Sequence, residues 1–277
     1  MRLIVRPDAE SVGAWAAEYI VNLVKDFMPC AEKPLLVLGM PTGRSVAGVY
    51  AALVIAYKAG RVSFKNVATF NIDEYVDVDE KSPFSKHHFM WEHFFKKVDV
   101  RRENVHFLNG NVGADGLDAE CARYEAAIKA AGGIDFLFAG TGRDGHFGRN
   151  EPGSSLASRT RPKTLNRDTL LALSRRYGME VSNVPRVALT MGMGTMREAK
   201  EVMVIFTGIV KARALECCLE KPVNHMFPVS IIQRHPCAVF VCDEDATDEL
   251  RVKTVKYFKG LIETAALEVP RRSSVLA

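Results

Sequence analysis

Pro34-Leu35-Leu36-Val37-Leu38-Gly39-Met40-Pro41-Thr42-Gly43-Arg44-Ser45 is the stretch that decides how this chain folds. Its apolar run from Leu35 to Leu38 is unbroken, with no polar residue alternating through it. A strand with one wet face alternates, whereas a strand of a parallel sheet is covered on both faces and reads as a continuous apolar run. The run ends in a turn containing Gly and Pro, and helical spacing takes over from about Val46 to Ala59. Strand, glycine turn and helix together form the unit from which α/β sheets are built.

Working outward, the same strand signature recurs at Arg2 to Val5, Phe64 to Phe70, Ile134 to Ala139, Arg186 to Thr190, Glu201 to Phe206 and Ala238 to Cys242. Asp8 to Asp26 is spaced as a helix through Val12, Trp15, Ala16, Tyr19, Ile20, Leu23 and Val24. The expectation is an α/β fold with a doubly wound, mostly parallel sheet and helices on both faces. No repeat or linker divides the chain, so residues 1–277 read as one domain. Gly153 to Gly178, rich in Ser, Thr and Arg, reads as an extended loop or small subdomain beside the site.

With 277 residues, 48% of them hydrophobic, there is enough apolar material for a large core. The formal net charge of +4 comes without a long Lys/Arg run or interleaved aromatics, which argues against a nucleic-acid partner and for an anionic small molecule. Six cysteines lack CxxC or zinc-like spacing, so they read as reduced thiols and no metal site is expected. The N-terminal Met-Arg-Leu-Ile-Val-Arg-Pro lacks the apolar core of a secretory signal, no segment spans a membrane, and Ser-Val-Leu-Ala at the C-terminus is not the Ser-Lys-Leu address. A cytoplasmic protein is expected.

Chemistry concentrates between Gly140 and Pro152, where Asp144, His146 and Glu151 share a Gly-rich stretch directly after a strand. A histidine flanked by carboxylates can move protons near neutral pH. The bland alternative is a pair of ordinary turn residues in an Asp-Gly turn. A second cluster, Phe70-Asn71-Ile72-Asp73-Glu74-Tyr75, also follows a strand, and sites in parallel sheets form at the carboxyl ends of strands. The turn after Leu38 has the parts of a phosphate cradle: free N–H groups at a helix start, a glycine and a hydroxyl. It is neither a Walker A loop nor GxGxxG, and its plain alternative is a strand-to-helix connection capped by Ser45.

Pro-Thr-Gly after the second strand, Phe-Asn-Ile-Asp-Glu-Tyr-Val, Asp-Gly-His followed by Asn-Glu-Pro, Ser-Ser-Leu-Ala-Ser-Arg-Thr-Arg and Val-Asn-His-Met occur in order along nearly the whole chain. Together they resemble the glucosamine-6-phosphate deaminase family. That resemblance implies conversion of glucosamine 6-phosphate and water into fructose 6-phosphate and ammonia, without metal or organic cofactor, on a modified nucleotide-binding α/β sheet commonly assembled into hexamers. By matching position it makes Asp73 the base that carries a proton between C2 and C1. It makes His146 the ring-opening group, with Asp144 and Glu151 orienting it, and it assigns Thr42, Gly43, Arg44, Ser45, Arg175 and Lys211 to the substrate phosphate. Activation by N-acetylglucosamine 6-phosphate at a subunit interface is implied through Ser154, Arg161, Lys163, Thr164 and Tyr257.

The family pattern breaks in three places. Arg44 stands where a small residue is usual, and would crowd a turn if that position needed a positive φ. Phe147, Gly148 and Arg149 replace an Ile-Ala-Phe triplet, and Arg149 is expected beside His146 and Glu151, repelling a charged imidazole. Lys86, His87 and His88 stand in a lid-like stretch where Tyr, Tyr or His, and Ser are usual. Two other readings are a phosphogluconolactonase-type hydrolase and a sugar-phosphate sensor without turnover.

Overall fold

The computed structural model describes residues 1–268. Its elements run β1 (Arg2–Arg6), α1 (Ala9–Asp26), β2 (Leu36–Met40), α2 (Arg44–Lys58), β3 (Val67–Asn71), β4 (Asp73–Tyr75), α3 (Lys86–His93), β5 (Val105–His106) and α4 (Leu117–Ala130). They continue through β6 (Phe136–Gly140), β7 (Arg161–Thr164), α5 (Arg167–Tyr177), β8 (Val187–Thr190), α6 (Met193–Arg197), β9 (Glu201–Phe206), α7 (Ala212–Leu219), β10 (Ala238–Asp243) and α8 (Val252–Glu268).

The main sheet has seven strands in the order β1-β10-β9-β6-β2-β3-β5, every pairing parallel. Period-two alternation divides its residues between two cores. Leu36, Leu38, Phe136, Phe138, Met203, Ile205, Val239 and Val241 face α1, α2 and α3. Their neighbours Val37, Leu137, Ala139, Val202, Val204, Phe206, Ala238 and Phe240 face α4, α6, α7 and α8. Both faces are dry, which is why the strands read as unbroken apolar runs. Helix α1 starts where Asp8 accepts the Ser11 N–H at 2.7 Å, an N-cap that frees the following residues to turn.

From β2 the chain steps outward to β3 and β5, then returns to the other side of β2 as β6 before continuing to β9 and β10. The order reverses between β2 and β6, and a crevice opens beyond their carboxyl ends.

The structure departs from the expected fold at one strand. Val187–Thr190 is a strand, but it belongs to a second, antiparallel sheet of three strands in the order β4-β8-β7. Residues 153–178 supply β7 and α5. Ile72 joins the two sheets: its N–H donates to Met40 O at 3.1 Å, and its carbonyl accepts from Met191 N at 2.8 Å. Asp73 therefore stands where β3 leaves the parallel sheet. Among the described residues, no helix is long and apolar enough to cross a membrane.

Candidate active site

The carboxyl ends of β2, β3, β6 and β9, neighbours in the sheet, present the Thr42 turn, Asp73, the Gly140–Asn150 loop and the segment leading to Lys211. Gly43 holds φ at 140°, a value that side-chain-bearing residues avoid, and α2 begins at Arg44 with no side-chain cap. The expected crowding at Arg44 does not arise, because the positive φ falls on Gly43. Ser45 lies inside the helix and is not its cap. The first N–H groups of α2 are thus left for an outside acceptor. The Thr42 hydroxyl is buried and makes no hydrogen bond among the described residues.

Burial pulls the Lys211 pKa down; the Asp144 carboxylate works against this, and nearby Arg44 and Arg143 add to it. Three cations and one carboxylate at a helix start leave a positive excess that a phosphate dianion would neutralise. Arg143 was not singled out from the sequence, where it reads as a solvated loop residue. Arg175 is exposed on α5 and makes no hydrogen bond or ion pair among the described residues, so nothing there joins it to this group.

His146 Nδ1 lies 2.7 Å from Asp144 Oδ1, which also accepts the His146 backbone N–H at 3.3 Å. Burial would raise the Asp144 pKa, but the His146 hydrogen bond and charge outweigh it and hold the carboxyl at about 2. An ionised carboxylate can only accept, so Nδ1 carries the proton and Nε2 is left to exchange one with a ligand. The approach is close enough to exclude a side chain at Gly142, whose Cβ would come 2.1 Å from Nδ1 and 2.3 Å from Oδ1. Glu151 does not join the pair. It is buried, and it accepts from Thr169 Oγ1 at 2.5 Å and Asn166 N at 2.8 Å, anchoring the start of α5. The expected flanking of His146 by two carboxylates is thus reduced to one.

Asp73 is buried, and its Oδ2 accepts from Arg149 Nε at 3.2 Å with Lys86 Nζ 3.9 Å away. The Arg149 guanidinium also donates to Tyr75 Oη at 2.7 Å, and both cations lie over the Tyr75 ring, at 5.3 and 4.6 Å from its centre. Burial works against the Arg149 charge, but Tyr75 and Asp73 more than offset it and raise its pKa. The hydrogen-bonded partners of the Arg149 side chain are Asp73 and Tyr75, and the Glu151 carboxylate, beside which Arg149 was expected, adds a smaller attraction. Glu74 next door accepts from Tyr75 N (2.8 Å), His87 N (2.9 Å), Lys86 N (3.0 Å) and Ser85 Oγ (3.0 Å). It stabilises the start of α3, although burial still raises its pKa against those donors.

Of the residues assigned to an activator, Arg161, Lys163 and Thr164 lie on β7, with Arg161 and Lys163 on one face and Thr164 on the other. Arg161 Nη1 donates to Asn150 Oδ1 at 2.8 Å. The Ser154 hydroxyl is buried without a hydrogen-bond partner among the described residues. Tyr257 is exposed on α8, which packs against β1, whereas β7 packs against α4. The five residues are thus spread over β7, the loop before it and α8, whose main packing partners differ. Among the described residues, no three His, Cys, Asp or Glu side chains are grouped to hold a metal.

A sequence profile described as glucosamine-6-phosphate isomerases/6-phosphogluconolactonase matches residues 7–241. The chain belongs to this family of α/β proteins. Within it, the chain is 51% identical to a glucosamine-6-phosphate deaminase of Aedes aegypti over 261 residues, covering 94% of this chain and 93% of that one. A deaminase of Serratia proteamaculans is 52% identical, with 94% and 97% covered. A solved monomeric glucosamine-6-phosphate deaminase superposes with a TM-score of 0.83 at 34% identity, over 90% of this chain and 100% of that one. A 6-phosphogluconolactonase from Trypanosoma cruzi shares the fold alone, at 14% identity and a TM-score of 0.71, with 90% and 96% covered.

Proposed function

We propose that this chain converts glucosamine 6-phosphate and water into fructose 6-phosphate and ammonia. The observation that carries the reading is the crevice itself: an oriented imidazole, a buried carboxylate and a cationic helix start meet at adjacent strand ends. Identity of about half the residues with deaminases, against a shared fold alone with the lactonase, supports the choice of reaction.

In this reading the α2 start, Thr42, Arg44, Ser45 and Lys211 grip the phosphate, and exposed Arg175 closes on it. Phosphate binding energy then serves to orient the reacting carbons. His146 Nε2 moves the proton that opens the ring, with Asp144 balancing the charge. Asp73 takes the proton from C2 and returns it at C1 through an enolamine. The resulting C2 imine adds water and releases ammonia, so no redox partner is needed. Glu151 acts by holding α5 against this loop.

Activation by N-acetylglucosamine 6-phosphate through Ser154, Arg161, Lys163, Thr164 and Tyr257 belongs to the same proposal, with the site at an interface between copies of the chain. The monomeric relative sets the contrary expectation. Sizing in solution with and without the activator separates a hexamer from a monomer. We place the reaction in the cytosol, in keeping with free cysteines.

The test offers the wild-type chain glucosamine 6-phosphate and, separately, 6-phosphogluconolactone. Fructose 6-phosphate from the first and no accelerated hydrolysis of the second is the expected result. Lactone hydrolysis would overturn the assignment, and tight binding without product would favour the sensor.

A further inference from the structure

Arg149 does more than neutralise a buried carboxylate. It sits three residues after His146, yet its side chain reaches the antiparallel sheet and holds two groups there, Asp73 and Tyr75. It is thus a covalent part of the loop carrying the imidazole and a hydrogen-bonded part of the strand carrying the carboxylate. Lys86 adds a second cation from α3, 8% exposed along its side chain, against the same oxygen of Asp73. Both contacts fall on Oδ2. Oδ1 accepts no hydrogen bond among the described residues, so the cations hold one oxygen of the carboxylate while the other stays free, and Arg149, tied to Tyr75 as well, sets the plane in which the carboxylate lies.

We propose that Arg149, assisted by Lys86, is a positioning residue: it fixes the distance between His146 and Asp73 and holds one carboxylate oxygen so that the other faces the substrate carbon. This rests on the functional reading above. A carboxylate that must receive a proton from carbon gains most from a fixed orientation, because a carbon acid offers no hydrogen bond strong enough to align the base by itself. Grip on the phosphate is made at the other end of the crevice, so loosening this clamp should leave binding nearly intact.

The test uses the full chain and the variant Arg149→Ala, with glucosamine 6-phosphate carrying hydrogen or deuterium at C2. The expected result is a fall in kcat of about 100-fold with KM changed less than about threefold. The C2 isotope effect on kcat should grow, and added ethylguanidinium should restore part of the rate. A kcat close to that of the wild type overturns the clamp, as does a loss with an unchanged isotope effect and no response to guanidinium, which marks a structural role only. If Arg149→Ala does not fold, Tyr75→Phe keeps the charge and removes one leg of the fork; a smaller loss of kcat in the same direction is expected, and an unchanged kcat overturns the idea. An inert wild type would instead overturn the functional reading. The clamp is then read by a stability cycle of Arg149→Ala, Asp73→Asn and their double variant: strong non-additivity supports it, and additivity overturns it.

Discussion

The two halves of the crevice are built differently. On the side proposed to grip phosphate, Arg44 and Arg143 are exposed, the Thr42 hydroxyl has no partner among the described residues, and the His146–Asp144 pair is about a third exposed. On the Asp73 side, every charge has a partner within the protein, with side-chain exposures of 8% for Asp73 and Lys86 and 15% for Arg149. One half waits for charge from outside, and the other already balances its own. A phosphate brings two negative charges that unpaired donors can use. A proton on carbon brings none, so the group that takes it must be held by the protein. The two sheets divide the task, because loops after parallel strands leave N–H groups free while the short antiparallel sheet ties its residues across strands.

The contrast is broken most severely at Asp73. Asp73→Asn keeps the shape and removes the proposed base, and kcat should fall by roughly 100- to 10,000-fold with KM little moved; steady-state kinetics that place the loss in KM would put Asp73 on the gripping side instead. Lys211→Ala tests the other half. Losing one charge-assisted contact of about 1.5–3 kcal/mol should lower kcat/KM by about 10- to 100-fold, chiefly through KM. A loss confined to kcat would erase the division of labour.

Glu74→Gln probes how far the closed half is held by structure alone. It removes an acceptor of four hydrogen bonds, three from the α3 start and one from Tyr75 on β4, and should cost about 1–3 kcal/mol in urea denaturation. An unchanged midpoint would mean the donors find other acceptors. The smallest expected effect is a pH dependence. The Asp144 carboxyl is held below its ordinary value, at about 2, so its contribution to stability is complete above about pH 4 and is lost as pH falls toward the folded value. The gap in urea midpoint between wild type and Asp144→Asn should therefore be constant above that range and shrink on acidification. A gap independent of pH would show that the pair adds no charge-dependent stability.

What the sequence disclosed follows the same division. Strands buried on both faces announce themselves by unbroken apolar runs, so six strands of the main sheet could be read directly. β4, β7 and the edge strand β5 span only 3, 4 and 2 residues, too short for any period, and β7 is the polar Arg-Pro-Lys-Thr. Asp144 and His146 were visible because only Gly145 separates them within one loop. The Asp73–Arg149 pair joins positions 76 apart, and proximity in sequence pointed to Glu151, which does act on the Arg149 charge, but not to Asp73. Phe147 and Asn150 bond to each other across a tight reversal, with N–O distances of 3.1 and 3.3 Å, and this carries the Arg149 side chain over to Asp73. Lys86 was expected in a stretch that resembles the family's lid, and only the packing of α3 on β4 shows it to be buried.

The central claim is that one substrate bridges both halves and loses its amino group there. It is tested most directly by counting ammonia and fructose 6-phosphate released together from glucosamine 6-phosphate, beside Asp73→Asn. One ammonia for each ketose, with neither product from the variant, is the expected result. Ketose without ammonia, or a variant as fast as the wild type, would contradict it.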